Sequence, residues 1–451
     1  MEWEKILDRL NGFVETNKLS ELRGALMIMN VVDIAEFLSS LESDRMLKVF
    51  RILPKDISSD VFSYMDDEQR QSLMEKIGDK EIGELVSDMF VDDAVDFLEE
   101  LPAGLVKRVL ANVDEEQRKV INRFLRYPDY SAGSIMTIEF CDFHVGTTVL
   151  DAMKELKRTG VDKETIYTLY VIDEKRKLLG TVPLRRLILA NDDAPIESLM
   201  NANFVCAETM DDQEHVVELV RKYDLNSIPV VDKEGRLVGI ITSDDVMDVL
   251  EEEATEDIEK MNALLPSEEE YIKTGVFKLA KNRLPWLMFM MISGIFTGLI
   301  IVYFENILTN IESIGVALTA CIPMLMGTGG NCGSQASTLA IRGLAVGELE
   351  PKDVLKVLWK EFRVAAIVSV ALAAINMLIQ LFVFKRAMLV AFTVSIAMIF
   401  TVLLSKSIGC TLPMLAKKLK LDPALMAAPL ITTIVDACSL LILFAFAAII
   451  I

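Results

Sequence analysis

Residues 323–338 read PMLMGTGGNCGSQAST. They begin inside an apolar stretch and then fill with glycine and small polar side chains. Gly327, Gly329, Gly330 and Gly333 fall within seven residues, and each weakens a helix by up to ~1 kcal/mol relative to alanine. The stretch lacks the lysine of a P-loop, and Cys332 stands where the third glycine of GxGxxG would fall. Two uses remain. Small residues let membrane helices pack closely. Alternatively, the backbone leaves the helix at membrane depth, which is tolerated where it lines a water-filled cavity. Freed carbonyls and the side-chain oxygens of Thr328, Asn331 and Gln335 would then face a pathway, and such hard oxygens suit a hard cation or its water shell.

Charge divides the 451 residues in two. From residue 276 onward there are 14 Lys+Arg and 8 Asp+Glu, a net of +6, whereas residues 1–275 carry 32 and 59, a net of −27. The first part reads as an acidic soluble region and the second as a membrane region. MEWEKILDRL has no uninterrupted hydrophobic core and so does not read as a signal peptide, which places the acidic part in the cytosol. Six cysteines form no CxxC pair and there are only two histidines, so neither a disulfide framework nor a zinc site is indicated. With no nucleophile–base constellation and no ATPase motif, the chain does not read as an enzyme, and nothing points to nucleic acid.

Apolar runs of spanning length fall at about 284–304, 314–341, 357–384, 387–416 and 426–449, the second and fourth interrupted. Basic residues cluster before the first (Lys278, Lys281, Arg283), between the second and third (Arg342, Lys352, Lys356, Lys360, Arg363) and between the fourth and fifth (Lys417, Lys418, Lys420). The positive-inside rule then puts the N-terminus in the cytoplasm and the C-terminus outside. Halfway along the last run stands Asp436, with no basic residue in the same helix. An intramembrane carboxylate is by default a functional residue, although a protonated Asp bonded to a neighbouring helix is the alternative. Thr432 and Thr433 lie one turn below it. A carboxylate with neutral oxygens favours Mg2+ over softer metals, held through its waters because Mg2+ dehydrates reluctantly.

Residues 1–130 read as helices with an internal repeat. LPKDISSDVFSYMDDEQRQSL from Leu53 and LPAGLVKRVLANVDEEQRKVI from Leu101 align at a spacing of 48, which indicates a stacked superhelix. VDDAVDFLEELP puts Asp92, Asp93 and Asp96 on one helix face. Residues 131–253 hold a second duplication, YVIDEKRKLLGTV and PVVDKEGRLVGII at a spacing of 59, giving two βαββα-like units, 131–198 and 199–253. The acidic stretch SDDVMDVLEEEATEDIEK follows, and residues 254–278 read as a polar, largely helical connector to the membrane segment beginning at 279.

Taken together, the glycine-rich stretch, DPALMAAPLITTIVD (422–436), the paired CBS-like units and YPDYSAGSIM (127–136) resemble the MgtE-type family of magnesium channels over essentially the whole chain. The resemblance implies a multi-pass homodimer of the bacterial plasma (inner) membrane, in contact with its lipid. Each subunit has an all-α N-terminal superhelical domain, an α/β CBS pair, a plug helix and a five-helix transmembrane bundle. It implies that Asp436 binds hydrated Mg2+ in the pore. It also implies that Mg2+ binds between acidic cytosolic faces, through Asp92, Asp96, Asp212, Glu214, Asp224, Asp245, Asp248, Glu253, Glu256 and Asp257. Scarce Mg2+ would let these faces repel and release the pore; abundant Mg2+ would hold it closed. The membrane potential then drives passive entry at about 2.3 kcal/mol per charge per 100 mV. Cys332 departs from the small non-thiol residue common at its place. The nucleotide signature GxxTxxD is met by Gly239, Thr242 and Asp245 but not in the first unit's GTVPLRRL, so at most one ATP site of the usual kind is expected, and Asp245 could serve Mg2+ instead. An ion-coupled divalent cation exchanger and a membrane-anchored metal or nucleotide sensor are the rival readings; a sensor has no need of Asp436.

Overall fold

The computed structural model describes residues 2–99, 101, 103–266, 271, 274–308, 312–426 and 428–450. It divides into two units, 1–251 and 252–451.

The first unit opens with ten short helices among the described residues, α1–α10: Glu2–Glu15, Leu19–Leu26, Val31–Ser39, Ser43–Phe50, Lys55–Ser63, Asp67–Met74, Asp79–Asp88, Val91–Glu99, Ala103–Leu110 and Glu115–Phe124. The starts of α3, α5, α7 and α9 are 24 residues apart, as are those of α2, α4, α6, α8 and α10. The repeat of 48 visible in the sequence is therefore two helical hairpins of 24. Its DxEQR signature is a helix start: Asp66 accepts from Gln69 N and Asp114 from Glu116 N as N-caps. Each hairpin buries an apolar face on the next, with Phe50, Phe62 and Phe97 stacked edge to face along the core. Polar links join successive hairpins, such as Arg51 to Glu81 at 3.1 Å and Arg108 to Asp79 at 2.5 Å.

Two βαββα units follow. β1 (Asp142–His144), α11 (Val149–Thr159), β2 (Thr168–Ile172), β3 (Leu178–Pro183) and α12 (Leu184–Leu189) form the first; β4 (Ala207–Glu208), α13 (Gln213–Tyr223), β5 (Ser227–Val231), β6 (Leu237–Thr242) and α14 (Ser243–Met261) form the second. Each sheet has one parallel and one antiparallel pairing, with a register shift at Val171/Ile172 in one and at Val230/Val231 in the other. These positions are 59 residues apart, so the sequence duplication extends to the irregularity. The units face each other about a local pseudo-twofold, Leu178 N bonding Gly235 O and Leu237 N bonding Arg176 O.

The connector differs from expectation. α14 ends at Met261, Ala263 adopts a left-handed conformation (φ 57°), and Leu265 precedes a proline, which disfavours helix. Among the described residues helix next appears at Val276, and residues 267–270 and 272–273 of the connector lie outside the described set.

The second unit is built of α15 (Val276–Leu308), α16 (Glu312–Thr319), α17 (Ile322–Ala345), α18 (Val354–Leu378, continuing as a π-helical turn to Val383), α19 (Met388–Lys418) and α20 (Ala428–Ile450). Among the described residues four helical stretches are long and apolar enough to span a bilayer: 276–304, 351–383, 388–418 and 429–450. α17 is 24 residues long, but its glycines and polar side chains lower its hydropathy. It packs against α19 and α20, and α18 packs on α19.

Candidate functional site

The expected break at the glycines is not there. α17 runs unbroken through residues 322–345, and the helical path is interrupted upstream, at Ala320–Cys321. α19 is also continuous, with Pro413 inside it, so the interruption expected in the fourth span is corrected too. The glycines serve contact. A Cβ on Gly333 would come within 2.7 Å of Ile431 Cγ2 and 2.8 Å of Ser405 Oγ; one on Gly409 would lie 2.2 Å from the Gly333 carbonyl oxygen. Carbonyls thus stay in the helix rather than lining a path. That of Gly329 additionally accepts a bond from Ser405 Oγ.

The opposite stripe of α17 carries the chemistry instead. Gly327, Asn331 and Gln335, at i, i+4 and i+8, are exposed, with Thr328 half-buried beside them. Neither Asn331 nor Gln335 has a side-chain partner among the described residues. α20 is pressed against this helix: a Cβ on Gly330 would lie 3.0 Å from Thr432 Cγ2. Thr432 and Thr433 turn their hydroxyls onto the Pro429 carbonyl at 2.9 and 3.0 Å. One turn on, the half-buried Asp436 carboxylate has neither a hydrogen bond nor an ion pair among the described residues. An unpaired carboxylate and two unpaired amides in a bilayer-length bundle are costly against hydrocarbon and suited to water or a hydrated cation.

The first unit holds a second acidic group. Asp92, on α8, is only 8% exposed. Asp92 and Asp93 lie within electrostatic reach of Glu164, from the segment between α11 and β2, and of Asp244 and Asp245, at the start of α14. Burial, then the charges of Asp245 and Asp93, hold the Asp92 carboxyl well above the usual carboxylate range. Burial and the neighbouring Asp244, Asp245 and Asp93 push Glu164 up to about 7. Asp245 rises to about 6 from burial, although Thr242 donates to it from N at 3.1 Å and Oγ1 at 2.7 Å. Asp93 is raised by burial, and a bond from Ser63 and the Arg70 charge offset this in part. The group is carboxylate-rich and under-neutralised, which fits a hard divalent ion. Among the described residues no three ligating side chains converge on one point, so the fit is to an ion that keeps waters.

The other expected acidic residues do not join this group. Asp96 is exposed, so the α8 face reads as inward at Asp92 and outward at Asp96. Asp212 and Asp224 cap opposite ends of α13, ~18 Å apart along the axis, and Glu214 lies in its first turn. Asp248 is exposed, its pKa raised by burial and then by Asp244. In the second unit Glu256 and Asp257 gather around Lys260, whose Nζ lies 2.7 Å from Glu256 Oε1 and 2.8 Å from Asp422 Oδ2, with Glu253 one turn before. Sequence reasoning missed Lys260, Asp422 and Glu164; Asp244 it had noted only as part of the acidic helix. Glu164 sits in an unremarkable loop, and only the fold brings it to Asp92. Of the nucleotide signature, Gly239 is pressed on Met136 and Thr137, and Thr242 is engaged by Asp244 and Asp245. The open groove of the pair, about 440 Å³, is lined by Tyr167, Pro183, Leu184, Arg185, Ile188, Leu189 and Asn226 instead.

Comparison with known proteins agrees with this anatomy. Residues 322–446 match the MgtE divalent cation transporter family, 29–130 the MgtE intracellular N domain, and 132–193 and 196–252 the CBS domain. The magnesium transporter MgtE of Thermus thermophilus is 33% identical, covering 97% of both chains; that of Bacillus subtilis is 31% identical over 99% of this chain and 98% of its own. Among solved structures, the soluble part of a magnesium transporter covers 56% of this chain and 99% of its own (TM-score 0.54, 30% identity). The cytosolic domain of the Mg2+ channel MgtE in complex with ATP covers 54% and 99% (TM-score 0.51, 33% identity). With near-full-length matches at this identity and every segment matched in the same order, this chain belongs to the MgtE family of divalent cation transporters.

Proposed function

We propose that this protein is a Mg2+ channel of the bacterial plasma membrane that lets Mg2+ enter passively and closes when cytosolic Mg2+ is abundant. The observation that carries the proposal is the unpaired Asp436 carboxylate beside the unpartnered Asn331–Gln335 stripe. In a homodimer with cytoplasmic N-termini and external C-termini, these groups of two copies would line one water-filled path across five spans per subunit. Asp436 would hold a hydrated ion through its waters. The half-buried Thr432 and Thr433 would shape the vestibule below. The acidic group at Asp92, Asp93, Glu164, Asp244 and Asp245 is the sensing site this reading favours: Mg2+ there would offset mutual repulsion and stabilise the closed arrangement. ATP, bound by a relative's cytosolic domain, is assigned to the Tyr167–Arg185–Asn226 groove.

Asp436→Asn should abolish Mg2+ uptake into proteoliposomes while leaving the protein folded. Unchanged uptake would remove Asp436 from the pathway.

A further inference from the structure

Asp436 is not the only ionisable group inside the bundle. Lys406 on α19 is 5% exposed, and its Nζ lies 3.4 Å from Glu361 Oε2 on α18, a carboxylate whose side chain is 14% exposed. The desolvation penalty of such a pair is so large that an apolar pair of the same volume would hold the helices equally well. α18 already presents an uncharged buried stripe to its neighbours, with Ala365, Ser369, Ala373 and Asn376 continuing from Glu361. Helix packing alone therefore does not account for the charges.

Their position brings either charge, taken alone, within reach of the ion site. Ser405, the residue before Lys406, meets Ile431 across Gly333, which puts Lys406 at the level of Ile431. Asp436 is five residues further along α20, ~7.5 Å along the axis, and neighbouring helices lie 8–10 Å apart. The backbones at Lys406 and Asp436 thus stand roughly 12 Å apart, with the Lys406 ammonium turned to Glu361. At an effective dielectric of ~20, one unit charge at that distance changes the occupancy of a divalent ion by about ten- to a hundred-fold.

We propose that Lys406 and Glu361 are held as a mutually cancelling charge pair, so that neither charge alone shifts the electrostatic potential at Asp436 or the affinity of the pathway for its ion. Neither member of the pair touches the ion. Intact, the pair contributes almost no net charge. Broken on one side, it becomes a fixed charge of either sign beside the site.

This rests on Asp436 as the ion site. The experiment is Mg2+ flux through the full-length protein in proteoliposomes, read as the half-saturating Mg2+ concentration. Lys406→Met leaves the carboxylate and should lower that concentration about ten-fold, with slower maximal flux because the ion is held longer. Glu361→Gln leaves the ammonium and should raise it about ten-fold. Lys406→Arg, which keeps the charge, and the double neutral variant should both return near the parent value. A purely structural pair would shift both single variants the same way. That pattern, or no shift at all, overturns the proposal. If a single variant fails to fold, the reversed pair (Lys406→Glu with Glu361→Lys) decides: near-parent affinity supports the pair, and loss of transport overturns it. Asp436→Asn separates the two ideas. Unchanged uptake in that variant sinks the ion site, whereas abolished uptake with same-direction shifts in the pair variants sinks the pair alone.

Discussion

Gly409 and Gly327 make opposite demands on the same amino acid. A methyl on Gly409 would collide with the Gly333 carbonyl, which is backbone and has no rotamer to yield, whereas nothing lies within 4 Å of a Cβ on Gly327. Gly409→Ala should therefore cost about 1–3 kcal/mol by overpacking, read as a lower melting temperature in detergent. Gly327→Ala should leave stability unchanged or raise it slightly, since alanine favours helix by up to ~1 kcal/mol. Glu164 offers a second test at this scale. Its carboxyl titrates near 7 in the folded protein against an ordinary 4.5, so the folded state binds the extra proton. The contribution of Glu164 to metal-free stability should be full below about pH 4.5 and be lost as pH rises through about 7. Glu164→Gln should flatten that decline in thermal melts of chelator-treated protein, and a variant as pH-sensitive as the parent would refute the assignment.

At the scale of elements, α14 is where the acidic sequence acquires an internal cation. Burial disfavours the Lys260 ammonium, but the bonds it donates to Asp422 and Glu256 outweigh this and raise its pKa. Asp257 beside it is raised by burial and then by Asp422. Lys260→Gln should leave three carboxylates uncompensated. The expected result is faster Mg2+ flux at low Mg2+ and a steeper fall as Mg2+ is added; a dependence identical to the parent would show that the lysine has no part in closure. The helices, both duplications and the Asp436 span were legible because period, caps and turns are local. Asp66 and Asp114, for example, announce α6 and α10 by their own side chains. Continuity of α17 was not legible. Glycine's low helix propensity is a local signal, and it was overridden by contacts from Ser405, Ile431 and Val435, which come from 70 to more than 100 residues away. Glu164 and Lys406 were hidden for the same reason, since their partners are distant in sequence.

For the whole molecule, the distribution of charge decides the response to ions. An excess of 27 acidic residues in the first 275 is screened by any salt, but only a divalent ion can bridge Asp92 and its neighbours. Mg2+ at a hundred times its dissociation constant should stabilise the metal-free protein by ~2.7 kcal/mol. Na+ at matched ionic strength should give a much smaller rise in melting temperature. Equal rises would mean that general screening, and not a site, is responsible.

The direct touch of Gly333 and Gly409 has a mechanical corollary. Backbones already in contact cannot slide closer, and prying them apart would open a dry crevice, so α17 and α19 must travel as one rigid slab. Widening of the conduit then falls to the looser staves, above all α15, whose chief partners are α16 and α20.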